Sequence, residues 1–127
     1  MGKFGEAAIR AVNLVSQDDA LSPVDAWKKA VGEFFPGSKH QRRKGCPRDA
    51  FLGLCEMGVV RGIRAGSYTT SEKNKGYAVR ALAALRSDPS LVEHKTRLWA
   101  IALEGADKEE NKQMDVLVTL WREGLVE

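Results

Sequence analysis

The 127-residue chain has two cysteines, two histidines, four prolines and few aromatics. Each scarcity excludes something. Cys46 and Cys55 lie nine positions apart in a segment with helical spacing, which sets their α-carbons about 13 Å apart at about 1.5 Å rise per residue, beyond the ~7 Å that a disulfide spans. Free thiols fit a reducing, cytoplasmic compartment. His40 and His94 are far apart, and no Cys or His pair has the spacing of a zinc site. The chain contains no G-x-x-x-x-G-K-[ST], no G-x-G-x-x-G after a strand and no G-x-S-x-G. Known nucleotide and hydrolase signatures are therefore missing, and no metal, cofactor or catalytic set is expected. No stretch approaches the roughly 18 apolar residues of a membrane span. Lys3, Glu6 and Arg10 interrupt the first fifteen positions, so neither a leader nor a membrane partner is expected.

What is present is helix period. The chain is 43% hydrophobic and 29% charged, the balance of one ordinary globular domain spanning residues 1–127. Phe4, Ala7, Ala8, Ala11, Leu14 and Val15 form one apolar stripe. Ser22-Pro23 has the form of a cap followed by proline in the first turn, and Pro36-Gly37 stops that second helix. Cys46-Pro47 opens a third helix with Phe51, Leu54 and Cys55 on its apolar face and Gly58 as C-terminal cap. Residues 59–68 hold Gly62 and Gly66 and read as an irregular connection or a short hairpin. Thr69 with Glu72 forms a capping-box pattern before Tyr77, Ala81 and Leu85. Asp88-Pro89 starts a fifth helix running through Leu98 and Trp99, and a sixth runs from about Lys108 to Glu123 before Gly124. The expected architecture is an all-α bundle of about six helices.

The halves, 1–65 and 66–127, resemble each other. At a shift of 66, Asp49, Leu54, Gly58 and Val60 fall on Asp115, Leu120, Gly124 and Val126; at 70, Ala8, Arg10 and Ala11 fall on Ala78, Arg80 and Ala81. Either a three-helix unit is duplicated, or capped amphipathic helices look alike by chance; a duplication predicts a pseudo-twofold and a shared core.

The net charge of +3 hides a division. From Lys39 to Arg64 seven basic residues face two acidic ones, a local +5, and from Glu104 to Glu127 seven acids face three bases. Such asymmetry concerns partners rather than fold. Lys39, Arg42, Arg43, Lys44 and Arg48 surround the start of the third helix, where free backbone N–H groups favour an anion. Arg61 and Arg64 follow in the irregular segment. Lys73 stands near a helix start, where the dipole favours acids, and could extend the same basic surface. The third helix is poor in residues that read base edges, so sequence-specific DNA readout is not expected. Cys46, beside these cations, is the one reactive-thiol candidate, without an evident base. Glu109, Glu110 and Asp115 read as charge near a helix start rather than as metal ligands, and Trp27, Trp99 and Trp121 read as core.

Gly45-Cys46-Pro47-Arg48-Asp49-Ala50-Phe51-Leu52-Gly53-Leu54-Cys55-Glu56, then Gly66-Ser67-Tyr68-Thr69 and Asn74-Lys75-Gly76-Tyr77-Ala78, resembles a family of small uncharacterised bacterial proteins. Gly5-Glu6-Ala7-Ala8 and Gln113-Met114-Asp115-Val116 extend the resemblance over nearly the whole chain. It implies a stand-alone bacterial, cytoplasmic domain and brings no activity with it. The residues themselves favour a non-enzymatic binding module whose basic surface engages nucleic acid or another polyanion. The alternative is a protein-interaction module or homodimer that pairs the basic and acidic faces.

Overall fold

In the computed structural model, which describes residues 2–127, the helical period becomes seven α-helices: α1 Lys3–Gln17, α2 Pro23–Phe34, α3 Lys39–Arg42, α4 Gly45–Glu56, α5 Glu72–Ser87, α6 Lys95–Leu103 and α7 Gln113–Arg122. Six of them have nine or more residues; α3 is a single turn, and a 3-10 segment, Pro89–Glu93, precedes α6. The all-α bundle is the class the periodicity predicts. Ser22 Oγ accepts from Asp25 N at 3.1 Å with Pro23 in the first turn, as expected. Gly58 and Gly124 follow α4 and α7 in the left-handed region, at φ +73° and +70°, where a Cβ would be strained.

Four boundaries differ from the reading of the sequence. The basic loop folds into α3 because Ser38 Oγ accepts from Gln41 N at 3.2 Å, and Lys44 rather than Cys46 takes the N-cap position of α4. Ser71, not Thr69, caps α5; the Thr69 hydroxyl instead accepts from Ser71 N and donates to Asp49 Oδ1 at 2.9 Å. The fifth helix is broken at His94, since Asp88 caps a tight turn whose i→i+3 bonds end there before α6 begins. The last helix begins at Gln113, because Lys112 adopts φ +74° and interrupts the run. Residues 59–68 are irregular rather than a hairpin: Val60 forms an isolated antiparallel bridge with Val126 near the chain end.

The exposed area, 6799 Å², is close to the roughly 6,700 Å² expected of one compact body of this mass. Core residues come from every long helix. From Gln113 to Leu120 α7 is wholly buried, and α4 is nearly so. Phe35, Phe4, Trp27 and Phe51 form an aromatic row with successive ring centroids 4.6, 6.4 and 5.2 Å apart. α4 is thus buried in the core and does not present an exposed face of the kind a recognition helix carries.

The packing pairs are α1 with α2 and α7, α5 with α6 and α4, and α4 with α7. Exchanging α1 with α5, α2 with α6 and α4 with α7 leaves those pairs unchanged, but α5 also packs on α7 and there is no corresponding α1–α4 packing. At the α4–α5 crossing, Gly53 faces Lys75; at the α1–α7 crossing, Gly5 faces Thr119. In both places glycine is required by the approach of the partner helix.

Candidate functional site

Four helices begin around one cleft of about 530 Å³, with Gly2 and Lys3 from α1, Lys44 from α4, Lys95 and Thr96 from α6, and Lys112 and Asp115 from α7 on its walls. Unpaired N–H groups at helix starts make each of these ends partly positive. A lysine at such an end is normally unfavourable, by about 0.3–1 kcal/mol. Here the residue in the first helical or N-cap position of all four is lysine. Acids stand in the first turns of α1 and α7 as well, at Glu6 and Asp115, as they do in α2 and α5, which do not reach the cleft.

The floor is apolar, built from Phe4, Phe35 and Trp99. Lys3 Nζ lies 5.7 Å from the Phe35 ring centroid and Lys44 Nζ 5.8 Å from that of Phe4, within cation–π range. Arg42 Nη1 donates to the carbonyls of Phe35 and Pro36, both at 2.8 Å, which fastens the segment carrying Phe35. Trp99 Nε1 donates to the Lys108 carbonyl at 3.2 Å, and Tyr77 packs edge-on at 5.1 Å behind it.

The two acids of the cleft are already engaged. Asp115, buried in α7, accepts from Gly2 N at 3.1 Å and Gly5 N at 3.0 Å, and Lys95 Nζ stands 3.8 Å away. Gly2, the N-cap residue of α1, has no side chain to do this, so α7 supplies the cap across the interface. Glu110 Oε2 accepts from Met114 N at 3.0 Å and so caps α7. Among the described residues Lys3, Lys44 and Lys112 form no ion pair. Gln41, on the cleft wall, has a carboxamide oxygen that is buried without a hydrogen-bond partner.

Of the eight basic residues singled out in the sequence, the cleft wall takes only Lys44. Arg42 is bound to carbonyls beside it. Arg48 pairs with Asp49 at 3.1 Å, and Arg61 with Glu127 at 3.5 Å. Arg64 is exposed on the far irregular segment, where its carbonyl accepts from the Tyr68 hydroxyl. Lys39 and Arg43 are exposed on and just after α3. Lys73 is exposed in a separate depression with Arg80 and Lys108. Lys75, its neighbour, is 3.6 Å from Glu56 and serves the α4–α5 contact. Some acidic side chains outside the cleft are taken up within the chain, Glu104 by Arg80 and Glu93 by Arg122, and Arg86 bonds the Glu127 carbonyl.

Cys46 is a half-buried free thiol outside the cleft. Cys55 is buried in the core, and burial pushes its thiol well above the ordinary range. Among the described residues no three His, Cys, Asp or Glu side chains gather to hold a metal, and no helix is long and apolar enough to cross a membrane.

Lys3, Lys95 and Lys112 escaped the sequence reading because they are scattered along the chain. No local signal marks them, since Lys95 and Lys112 fall inside the helices that the sequence begins at Pro89 and Lys108, and their place at helix starts is set by the fold. A family model described as a family of unknown function (DUF6979) matches the chain over residues 1–127. No curated protein and no solved structure matches it.

Proposed function

The chain belongs to a family of unknown function, and on that footing we propose that it is a small helical binding module that engages an anionic partner at the four-lysine cleft. The observation that carries this reading is the convergence of four lysine-bearing helix starts on one apolar-floored cavity. Counting Glu110 and Asp115 against Lys3, Lys44, Lys95 and Lys112, the cleft has a formal charge of +2. Both acids are already satisfied by backbone N–H groups, whereas three lysines are not paired. The basic Lys39–Arg64 stretch takes part through Lys44 at the cleft and Arg42 behind it. Pairing of complementary faces between two copies has less support, because Glu104 and Glu127 of the acidic face already meet Arg80 and Arg61 within one chain. Two free cysteines support a reducing, cytoplasmic setting.

The pairs Asp49/Asp115, Gly58/Gly124 and Val60/Val126, each 66 residues apart, support duplication of a three-helix unit. Under it, Asp49 beside the start of α5 corresponds to Asp115 beside the start of α1. Superposing α1, α2 and α4 on α5, α6 and α7 should bring those pairs together; a best superposition in another register rejects the duplication.

Calorimetric titration with inorganic triphosphate and with single-stranded DNA tests the anion site. Binding should be present at about 20 mM salt and much weaker at about 0.5 M, as screening shortens from tens of ångströms to a few. Lys112→Gly removes one ammonium while relieving a left-handed non-glycine backbone, so it should weaken binding with no loss of stability. Arg61→Gln with Arg64→Gln, away from the cleft, should leave affinity unchanged. No binding of either anion at low salt, or loss through the Arg61/Arg64 pair alone, overturns the reading.

A further inference from the structure

We propose that the anion held in the cleft is a single nucleoside polyphosphate, its base against Phe35 and Trp99 and its phosphates among Lys3, Lys44 and Lys112; this rests on the anion-site reading above. Three features of the cleft select that class. Its volume, about 530 Å³, lies in the range of small-molecule sites and suits one mononucleotide rather than a strand. The cations are lysines, compact point charges on flexible stems that adapt to several phosphate oxygens, and no arginine lines the cleft to impose a fixed fork. Three unpaired ammonium groups call for more than one negative charge, which a polyphosphate supplies.

The ring is assigned by the rest of the lining. A phosphate alone would leave uncovered the partly exposed ring of Phe35, beside Phe4 and Trp99, which the chain already largely buries. A planar base covers it, and Phe35, held by Arg42 and only partly buried, offers the accessible face. Gln41 adds a specific demand: its carboxamide oxygen is buried at the wall with no donor. A buried acceptor without a partner is costly, and a turn of the carboxamide toward the cleft would let it accept from the exocyclic amine of a base such as adenine. None of the familiar phosphate-loop signatures is present, so phosphate recognition falls to side chains and separate helix ends.

A nucleic-acid strand fits less well. Strand-binding surfaces combine a continuous basic track with successive stacking aromatics. Outside the cleft Arg42, Arg48 and Arg61 are each occupied by carbonyls or acids of this chain, and the track is interrupted.

Titration of the full chain with ATP, adenosine, inorganic triphosphate and a single strand of about 12 nucleotides tests the assignment. ATP should bind one site per chain, at least about fivefold tighter than inorganic triphosphate, the lower end of what stacking one base contributes. Trp fluorescence should respond to ATP. Gln41→Ala and Phe35→Leu should remove the ATP advantage and leave triphosphate affinity in place, while Lys112→Gly should weaken both. Equal affinity for ATP and triphosphate overturns the nucleotide assignment and leaves the anion site standing. A strand that binds more tightly than ATP and covers several nucleotides per chain overturns it in favour of nucleic acid. Binding of none of the phosphates overturns both.

Discussion

Replacing Asp115 by alanine tests whether α7 truly caps α1. Asp115 gives each of its two carboxylate oxygens to one backbone N–H of α1, at Gly2 and Gly5, and the Gly5 bond is buried. Gly2 and Gly5 are both glycine for the same reason. A Cβ on Gly2 would overlap the Asp115 carboxylate, and one on Gly5 would overlap Thr119 Oγ1. In Asp115→Ala the buried Gly5 N–H loses its acceptor at a cost of about 1–3 kcal/mol, and the loss of an N-cap costs about 1 kcal/mol more. The sum, about 3 kcal/mol, corresponds to a fall in Tm of roughly 10–15 °C for a chain between the small and medium size classes. Asp115→Asn keeps one acceptor but turns an NH2 toward the second donor, so about half of that loss is expected. Asp49→Ala is the internal comparison. Asp49 takes only the Thr69 hydroxyl and the half-exposed Arg48 and serves no backbone N–H by its side chain, so about 1 kcal/mol is expected. Urea unfolding, with midpoint and slope fitted separately, gives the three values. If Asp115→Ala lies within about 0.5 kcal/mol of the parent at unchanged slope, or costs no more than Asp49→Ala, the capping argument fails.

Two glycines should respond with opposite sign. A Cβ at Gly53 would sit 2.7 Å from the Lys75 α-carbon, so Gly53→Ala must part α4 from α5 and cost about 1–3 kcal/mol. Gly32, in the interior of α2 with open space around it, should gain about 0.5–1 kcal/mol on becoming alanine; equal signs in urea unfolding would refute the packing account. Asp88 gives a pH test: the hydrogen bond from the Ser90 hydroxyl holds its carboxyl below the ordinary range. Its contribution is complete above the unfolded value of about 3.9 and is lost as pH falls through the lower folded one. Asp88→Asn should therefore flatten the acid side of the stability profile below about pH 4, and a profile parallel to the parent's would show that the bond contributes nothing.

The legible part of this protein is local. The stripe from Phe4 to Val15, the Ser22-Pro23 start and the glycines that end α4 and α7 each involve residues within about one turn of each other, so neighbouring letters suffice to find them. Misread boundaries mark the limit of that reach. Thr69 resembles an N-cap until Asp49, twenty positions earlier, draws its hydroxyl away. The helix expected from Lys108 starts at Gln113 because Lys112 takes a left-handed turn at the cleft edge. Charge was the poorest guide. The Lys39–Arg64 run is dense in sequence, but in the fold Arg42, Arg48 and Arg61 are spent on carbonyls and carboxylates that approach from elsewhere.

By itself, then, the sequence determined the helical class, the Ser22-Pro23 start, the glycine stops of α4 and α7 and most of the core, because periodicity and local capping are properties of adjacent turns. The tertiary structure alone decided where positive charge accumulates. Lys3, Lys44, Lys95 and Lys112 share no spacing, and only the packing of α1, α4, α6 and α7 points their starts at one place. A charge acts through space over about a Debye length, roughly 8 Å in physiological salt, so its effect follows from that packing and not from its neighbours in the chain.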